Sequence, residues 1–325
     1  MKEAFNAIKK AVKSARNALI VSHVDPDGDS IGSMIAMGMV LEKMGLSCSF
    51  YSQDGIPRIY RFLPGADRVR NKVEPNRHFD LLVAVDSSDL KRLGDKLEAR
   101  DVAKLIINID HHPDNTAYGD INYVEKSSST AELIYKLCKG LKIVIGREMA
   151  ENLYVALITD TGNYRYENTS ITTFSMASDM LKAGVDTHEI TTRIYDTKTI
   201  ASIRVQAAAL TTLEVSPDRK AAWAVVTDEM MQRSGAKGED LVGLVDQIRS
   251  VDGVEVAILF REDGDKVKVN FRSKEKVSVS NIAKRFGGGG HVRAAGAIIA
   301  GDVETVKTKV VAEVLKYLKA SKYLV

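Results

Sequence analysis

Four motifs rich in aspartate and histidine each follow a short apolar run in this chain, and this pattern strongly constrains the fold. The motifs begin at His23, Asp86, Asp110 and Asp160. An apolar run that ends in a carboxylate or an imidazole predicts a buried element that leads into a polar site. Because the carboxyl ends of parallel strands meet at one edge of a sheet, we expect that edge to collect the first three motifs.

The first half of the chain alternates strand-like and helix-like segments. The predicted strands are 18–22, 47–51, 81–85 and 105–109, and the predicted helices are 31–44, 90–99, 130–139 and 147–158. Small residues in the first of these helices, such as Gly32 and Ala36, suit close packing. The alternation predicts an α/β fold with a mainly parallel sheet that helices cover on both faces.

A second, smaller α/β unit follows a helical stretch at 171–210. Its predicted strands are 221–227, 254–260, 267–271 and 297–300, and its predicted helices are 240–248, 280–286 and 303–319. The Asp263-Gly264 pair predicts a hairpin, and hence a mixed sheet. We therefore expect a larger domain at 1–190, a helical linker at 191–211 and a smaller domain at 212–325, with a cleft between the two domains.

Cysteine content and hydropathy narrow the class of protein. The chain has two cysteines, Cys48 and Cys138, and no CxxC motif, so neither a disulfide scaffold nor a thiolate metal site is expected. No apolar run reaches the roughly 18 residues of a membrane-spanning helix. We expect a cytoplasmic protein without a membrane partner.

Charge is distributed unevenly along the chain. Residues 1–190 carry a net charge of −2, and the remaining residues carry +5. An acidic metal-binding part beside a basic part suits a phosphorylated substrate. Ordinary solvated surface is the alternative explanation.

The acidic motifs taken singly have simpler interpretations. The spacing of Asp25, Asp27 and Asp29 matches the opening of an EF-hand, but Ser30 stands where that loop needs glycine and Ala36 where it needs glutamate. An Asp-rich turn remains the alternative there. Helix caps are the alternative for the strand-end and helix-end carboxylates.

Taken together, the motifs favour a metal site. Carboxylate oxygens combined with some imidazole favour Mn²⁺ or Mg²⁺ over metals that prefer thiolates. Two such ions bridged by a shared carboxylate support in-line displacement at phosphorus.

Four consecutive glycines precede His291 in the second half of the chain. Glycine lets backbone N–H groups approach an anion closely, and Arg272, His291 and Arg293 add positive donors. No Gly-Lys-Ser/Thr follows, so this is not a Walker A loop. A flexible linker is the alternative.

The ordered motifs resemble the DHH phosphoesterase superfamily, and the C-terminal part resembles its DHH-associated domain type one. The two-domain size is similar to the nanoRNase branch. The resemblance implies a two-metal phosphodiesterase and phosphomonoesterase. Its substrates would be short oligoribonucleotides, including linear dinucleotides such as pApA, which yield mononucleotides, and 3′-phosphoadenosine 5′-phosphate, which yields AMP.

The resemblance also implies roles for individual residues. His23, Asp27 and Asp86 would hold one metal ion, and Asp29, Asp86, His111 and Asp160 would hold the other. His112 would face the scissile phosphate, and Asp110 would orient a histidine. The implied substrate-binding residues are Arg272, Gly288, Gly289, Gly290, His291 and Arg293.

The expected cofactors are two divalent ions, best supplied as Mn²⁺, with Mg²⁺ or Co²⁺ as alternatives. The expected partners are short single-stranded RNA, dinucleotides and phosphorylated nucleotides. Whether the protein forms a homodimer is left open by the sequence. Two other functions also stay open: a cyclic-di-AMP phosphodiesterase, and a nucleotide-binding sensor with a degenerate metal site.

Overall fold

The computed structural model describes residues 2–74 and 77–321, which form two compact units that divide after Asp196. Helices of the first unit are α1 Lys2–Ser14, α2 Gly28–Lys43, α3 Ala99–Val102, α4 Thr130–Leu141, α5 Arg147–Asp160, α6 Ile171–Lys182 and α7 Thr187–Tyr195. Its strands are β1 Asn17–Val21, β2 Ser47–Tyr51, β3 Val69–Arg70, β4 Phe79–Val85, β5 Ala103–Asp110 and β6 Ile121–Val124.

The strands of the first unit form one six-stranded sheet in the order β3-β2-β1-β4-β5-β6. All of its strand pairs are parallel, as the sequence predicted. The strand order reverses between β1 and β4, and ligands of such sheets bind beside the carboxyl ends at this point. Both strands lead into the predicted motifs.

Both faces of this sheet are buried, but by different kinds of element. Alternate residues such as Ile20 and Val83 pack in a core with the long helices, whereas Leu19 and Leu82 pack with short segments on the other face. The single helix predicted at 90–99 was wrong. A 3-10 turn, Leu90–Leu93, ends at Gly94, whose φ of 104° leaves the helical region, and the short α3 follows.

Close packing of α2 against α5 brings two of the predicted acidic motifs together. A Cβ at Gly32 would lie 2.4 Å from the carbonyl oxygen of Asn152, so only glycine permits this approach. Gly28 similarly lies against Thr159, and the two contacts show that the helices run antiparallel. The start of α2 therefore meets the end of α5.

The second unit is also α/β. Its helices are α8 Ile200–Leu210, α9 Asp228–Ser234, α10 Leu244–Arg249, α11 Val279–Lys284 and α12 Val303–Ser321. Its strands are β7 Glu214–Val215, β8 Ala221–Val226, β9 Val256–Asp263, β10 Lys266–Ser273, β11 Gly289–His291 and β12 Ala294–Ala300. Helix α8 contributes Val205 and Ala209 to a core of this unit.

The second sheet has the order β11-β12-β10-β9-β8-β7. Only the β8–β9 pair is parallel, so the sheet is mixed, and the Asp263-Gly264 hairpin joins β9 to β10 as predicted. The helix predicted at 240–248 is instead a 3-10 turn, Gly238–Leu241, followed by α10. Within the described part of the chain, no helix combines the length and apolarity that crossing a bilayer requires.

Candidate metal centre

Strand ends and helix ends of the first unit bring the predicted ligands together. His23 and Asp86 follow β1 and β4, and Asp110 is the last residue of β5. Asp29 lies in the first turn of α2, and Asp160 is the last residue of α5. Burial of most of these polar groups is nearly complete, which is costly unless each group is paired or coordinated.

One group of potential ligands comprises His23, Asp27 and Asp86, whose ligand atoms lie within 4.8 Å of one another. His23 Nε2 is 3.5 Å from Asp86 Oδ2 and 3.9 Å from Asp27 Oδ1. The other ring nitrogen, Nδ1, lies 2.7 Å from the carbonyl oxygen of Val24. A proton on Nδ1 would leave the lone pair of Nε2 directed at the carboxylates.

A second group comprises Asp29, His111 and Asp160, again within 4.8 Å. His111 Nε2 lies 3.7 Å from Asp29 Oδ2 and 3.5 Å from Asp160 Oδ2. His111 Nδ1 lies 3.2 Å from the carbonyl oxygen of Ser127, which fixes the ring in the same manner as at His23.

Asp86 connects the two groups. Its Oδ2 faces His23, and its Oδ1 lies 3.6 Å from His111 Nε2. The backbone of Asp86 adopts a left-handed φ of 56°, which is unfavourable for a residue other than glycine and is found repeatedly at functional sites. The observed geometry therefore places one carboxylate between two sets of ligands.

The start of α4 contacts these carboxylates, a feature that the sequence analysis missed. Asp29 Oδ2 accepts a hydrogen bond from the backbone N–H of Thr130 at 2.7 Å, and Asp29 Oδ1 accepts bonds from the N–H of Ala131 and the hydroxyl of Ser33. The hydroxyl of Thr130 donates to Asp86 Oδ1 at 3.0 Å. The only available signal was the Ser-Ser-Thr sequence at the predicted helix start.

His112 lies beside His111 and is held by the carboxylate of Asp110. Its Nδ1 lies 2.7 Å from Asp110 Oδ1 and 3.6 Å from Asp86 Oδ1, and the two histidine rings are inclined by 67°. The other oxygen of Asp110 accepts a hydrogen bond from Asn115 Nδ2 at 2.6 Å. Both adjacent histidines therefore lie 3.6 Å from Asp86 Oδ1, and His112 is in addition paired with Asp110.

Helix capping explains only one of the acidic motifs. Asp27 is the N-cap of α2 and accepts a bond from the N–H of Ser30. Asp89, rather than Asp86, caps the turn that follows β4. Asp160 lies at the C-terminal end of α5, where the helix dipole disfavours an anion. Capping therefore accounts for neither Asp86 nor Asp160.

The pKa values of the buried groups indicate that this site has an excess of negative charge. Burial, together with the charges of Asp86 and Asp160, raises the pKa of Asp29 well above its ordinary value, and burial raises the pKa of Asp160 to about 6. Although burial opposes protonation of His111, the carboxylates of Asp160, Asp29 and Asp86 raise its pKa to about 10. Divalent cations would neutralise these carboxylates, so the residues fit metal ions held by oxygen and imidazole.

In the second unit, Gly289 and Gly290 of the glycine motif belong to strand β11, whereas Gly287 and Gly288 precede this strand outside the sheet. Residues of β11 pair antiparallel with β12. A Cβ at Gly288 would lie 2.1 Å from the carbonyl oxygen of Gly296, and Gly290 has a φ of 131° and a Cβ position 2.6 Å from the carbonyl oxygen of Ala294. The hairpin itself therefore requires these two glycines, whereas the Cβ position of Gly289 is open.

Two of the predicted substrate-binding residues, Arg272 and His291, share one face of this sheet. Arg272 pairs with Ala294, which pairs with His291, so the three residues form a row across β10, β12 and β11. Directly paired residues project from the same face. Arg272 is partly exposed, and its Nε lies 3.8 Å from Asp246 Oδ1. Arg293 lies beyond the row and donates to the carbonyl oxygen of Val277.

Comparisons with known proteins point to one family. Residues 17–158 match the model of the DHH family, N-terminal domain, and residues 220–320 match that of the DHHA1 domain. A bifunctional oligoribonuclease and PAP phosphatase of Thermus thermophilus is 32% identical, with 99% of this chain and 97% of that protein aligned. The Bacillus subtilis protein of the same name is 27% identical over 85% of this chain and 87% of that protein.

A solved structure is similar over the full length. The crystal structure of an exopolyphosphatase-related protein from Bacteroides fragilis has 26% sequence identity and a TM-score of 0.89, and the match covers 100% of this chain and 98% of that one.

Proposed function

This chain belongs to the DHH phosphoesterase family, in the branch of the oligoribonucleases and PAP phosphatases, and from that membership we propose its substrates. It hydrolyses short oligoribonucleotides, including linear dinucleotides such as pApA, to mononucleotides. It also removes the 3′-phosphate of 3′-phosphoadenosine 5′-phosphate to give AMP. The names of the Thermus and Bacillus relatives support both activities.

The proposed cofactors are two divalent cations, with Mn²⁺ best suited to the oxygen and imidazole donors and Mg²⁺ or Co²⁺ as substitutes. His23, Asp27 and Asp86 would hold one ion, and Asp29, Asp86, His111 and Asp160 the other. When bound, such a pair of ions supplies Lewis-acid stabilisation of phosphoryl oxygens and activation of water.

The position of Asp86 is the observation that carries this proposal. Its two oxygens face His23 and His111 separately, at 3.5 Å and 3.6 Å. Its backbone also adopts a left-handed conformation, which has a free-energy cost and is frequent at functional sites. The complete ligand set argues against a sensor with a degenerate site.

His112 would act on the substrate rather than on the ions. Asp110 fixes its Nδ1, and Nε2 would hold a proton for the oxygen that leaves phosphorus. Asp110 would act through His112, as an orienting carboxylate does for other catalytic histidines.

Residues of the second unit would bind an anionic part of the substrate that lies away from the scissile bond. Arg272 and His291 would supply charged or strong hydrogen-bond donors on one sheet face, with Arg293 nearby in sequence. Gly288 and Gly290 would shape the hairpin, and Gly289 would leave room for close approach. Residues 1–190 would thus carry the chemistry and residues 212–325 the substrate contacts.

A parallel turnover assay tests this proposal. The purified protein, saturated with Mn²⁺, is incubated with pApA, 3′-phosphoadenosine 5′-phosphate and cyclic-di-AMP, and a sample with EDTA serves as the metal-free control. We expect turnover of the first two substrates and loss of both activities with EDTA. The isosteric Asp86→Asn variant should lose both activities while its circular dichroism spectrum is retained.

Two results would overturn it. Preferential cleavage of cyclic-di-AMP would make the protein a cyclic-dinucleotide phosphodiesterase. Nucleotide binding without turnover of any substrate would make it a sensor.

A further inference from the structure

We propose that Thr130 is a positioning residue that holds the bridging carboxylate of Asp86 in the orientation needed by both metal ions. This inference rests on the proposed two-metal function and extends it to a residue outside the ligand set. Thr130 is fully buried and is the first residue of α4.

Thr130 contacts two different carboxylates through two different groups. Its backbone N–H donates to Asp29 Oδ2 at 2.7 Å, and its hydroxyl donates to Asp86 Oδ1 at 3.0 Å. Asp29 lies in α2, whereas Asp86 directly follows β4. One residue therefore fixes the spacing of two proposed ligands.

The hydroxyl of Thr130 matters most for the inference, because it donates to Asp86, the carboxylate that lies between the two ligand groups. Asp86 Oδ1 faces His111, and Asp86 Oδ2 faces His23. Without the bond from Thr130, the carboxylate could rotate about its terminal torsion, which is a soft one. Rotation would move both oxygens together, so both ligand groups would lose their geometry.

The start of α4 does not depend on the hydroxyl of Thr130. Ser129, not Thr130, caps α4 by accepting a bond from the N–H of Glu132. The bond to Asp29 uses the backbone and survives any substitution of the side chain. The hydroxyl of Thr130 is thus not needed to start the helix.

The Thr130→Val substitution removes only this hydroxyl, because valine keeps the branched shape of threonine. Ser33→Ala is the matched comparison, since the Ser33 hydroxyl donates at 2.8 Å to Asp29 Oδ1, an oxygen of a ligand in only one group. Binding of Mn²⁺ to the metal-free protein is measured by isothermal titration calorimetry. Loss of a hydrogen bond to a metal ligand commonly weakens metal affinity about 10–100-fold.

We expect Thr130→Val to weaken both Mn²⁺ sites by about 10–100-fold, Ser33→Ala to weaken one of them, and Thr130→Ser to restore binding to near the wild-type level. Unfolding of the metal-free variants, followed in EDTA, separates binding from folding. Thr173→Val removes the hydroxyl of another fully buried threonine, one bonded to Ser170, and should lower the unfolding temperature without weakening Mn²⁺ binding.

Wild-type affinity in Thr130→Val would overturn the inference, as would an effect on only one ion. A failure of the wild-type protein to bind Mn²⁺ would instead refute the metal-dependent function itself. If Thr130→Val does not fold, Thr130→Ala is titrated in its place, and the same two outcomes decide.

Discussion

Asp110 Oδ1 lies 2.7 Å from Nδ1 of His112, and the pair is buried beside the proposed metal ligands. A carboxylate at this distance fixes both the tautomer and the direction of the imidazole. Asn115 holds the other oxygen of Asp110 at 2.6 Å, so the pair is itself held in place. His112 is therefore oriented before substrate binds.

This geometry predicts different effects for the two histidines. His112→Ala should keep both metal ions but lose about 10²–10³ in kcat, as is common when one transition-state donor is removed. His111→Ala should lose metal. Elemental analysis of the dialysed proteins, combined with turnover of pApA, checks both expectations. Loss of an ion from His112→Ala would show that the roles of the two histidines are exchanged.

A separate prediction concerns the stability of the first unit. Asp179 of α6 accepts hydrogen bonds from Lys139 and Tyr135 of α4, and these bonds hold the pKa of Asp179 below its ordinary value. A carboxylate with a lowered folded-state pKa stabilises the protein above its unfolded-state pKa, near 4, and this stabilisation is lost as the pH falls further. The charge is partly solvated, so its contribution is discounted to about 1 kcal/mol.

Asp179→Asn should therefore lower the free energy of unfolding by about 1 kcal/mol at pH 7, and the difference should shrink below about pH 4. Urea denaturation of the metal-free proteins at several pH values measures it. Asp252→Asn removes an exposed carboxylate as a control and should have no such effect. A difference that persists unchanged at low pH would mean that packing, not charge, is responsible.

The sequence predicted four of the six strands of the first sheet, because β1, β4 and β5 contain continuous apolar runs, but it missed the short strands β3 and β6. It failed where structure depends on single backbone angles or on pairing between distant residues. The segment 90–99 has helical composition, but Gly94 adopts a φ of 104° that ends the turn. Strand β11 consists of two glycines and a histidine, which carry no strand preference, and only its pairing with β12 makes it a strand.

The candidate site was predictable in its acidic motifs but not in its supporting contacts. Each of the six proposed ligands lies in a motif that follows a short apolar run in the sequence. Thr130 does not, because its role depends on the packing of α4 against residues about 45 and 100 positions earlier in the chain. Sequence spacing alone cannot reveal such contacts.

Substitution can distinguish the structural role of Gly290 from the proposed binding role of Gly289. Gly290→Ala should destabilise the second unit by about 1–3 kcal/mol, because alanine is strained at a φ of 131° and would overlap the carbonyl oxygen of Ala294. Gly289→Ala should leave the unfolding temperature nearly unchanged, since its Cβ position is open. If backbone approach matters for binding, Gly289→Ala should nevertheless raise KM for pApA. An unchanged KM in a folded Gly289→Ala variant would remove the backbone at Gly289 from the proposed substrate contacts.

The last prediction concerns the row formed by Arg272, Ala294 and His291 on the second sheet. We expect Arg272 and His291, on either side of the small Ala294, to donate hydrogen bonds to one anion of the substrate. Loss of a hydrogen bond to a charged group is worth about 1.5–3 kcal/mol, or roughly 10–150-fold in affinity. Arg272→Ala should therefore raise KM for a dinucleotide with a 5′-phosphate by about this factor and change kcat much less.

Two controls distinguish a substrate contact from a general effect of charge. Lys268 lies on the same strand and the same face as Arg272, so Lys268→Ala removes an equal charge away from the row and should change KM less than about threefold. Bis(4-nitrophenyl) phosphate lacks the second phosphate, so Arg272→Ala should hardly affect its hydrolysis. Equal losses on both substrates would show that Arg272 supports the fold or the metal site. The second unit would then have no established part in substrate binding, and only the metal centre would support the proposed function.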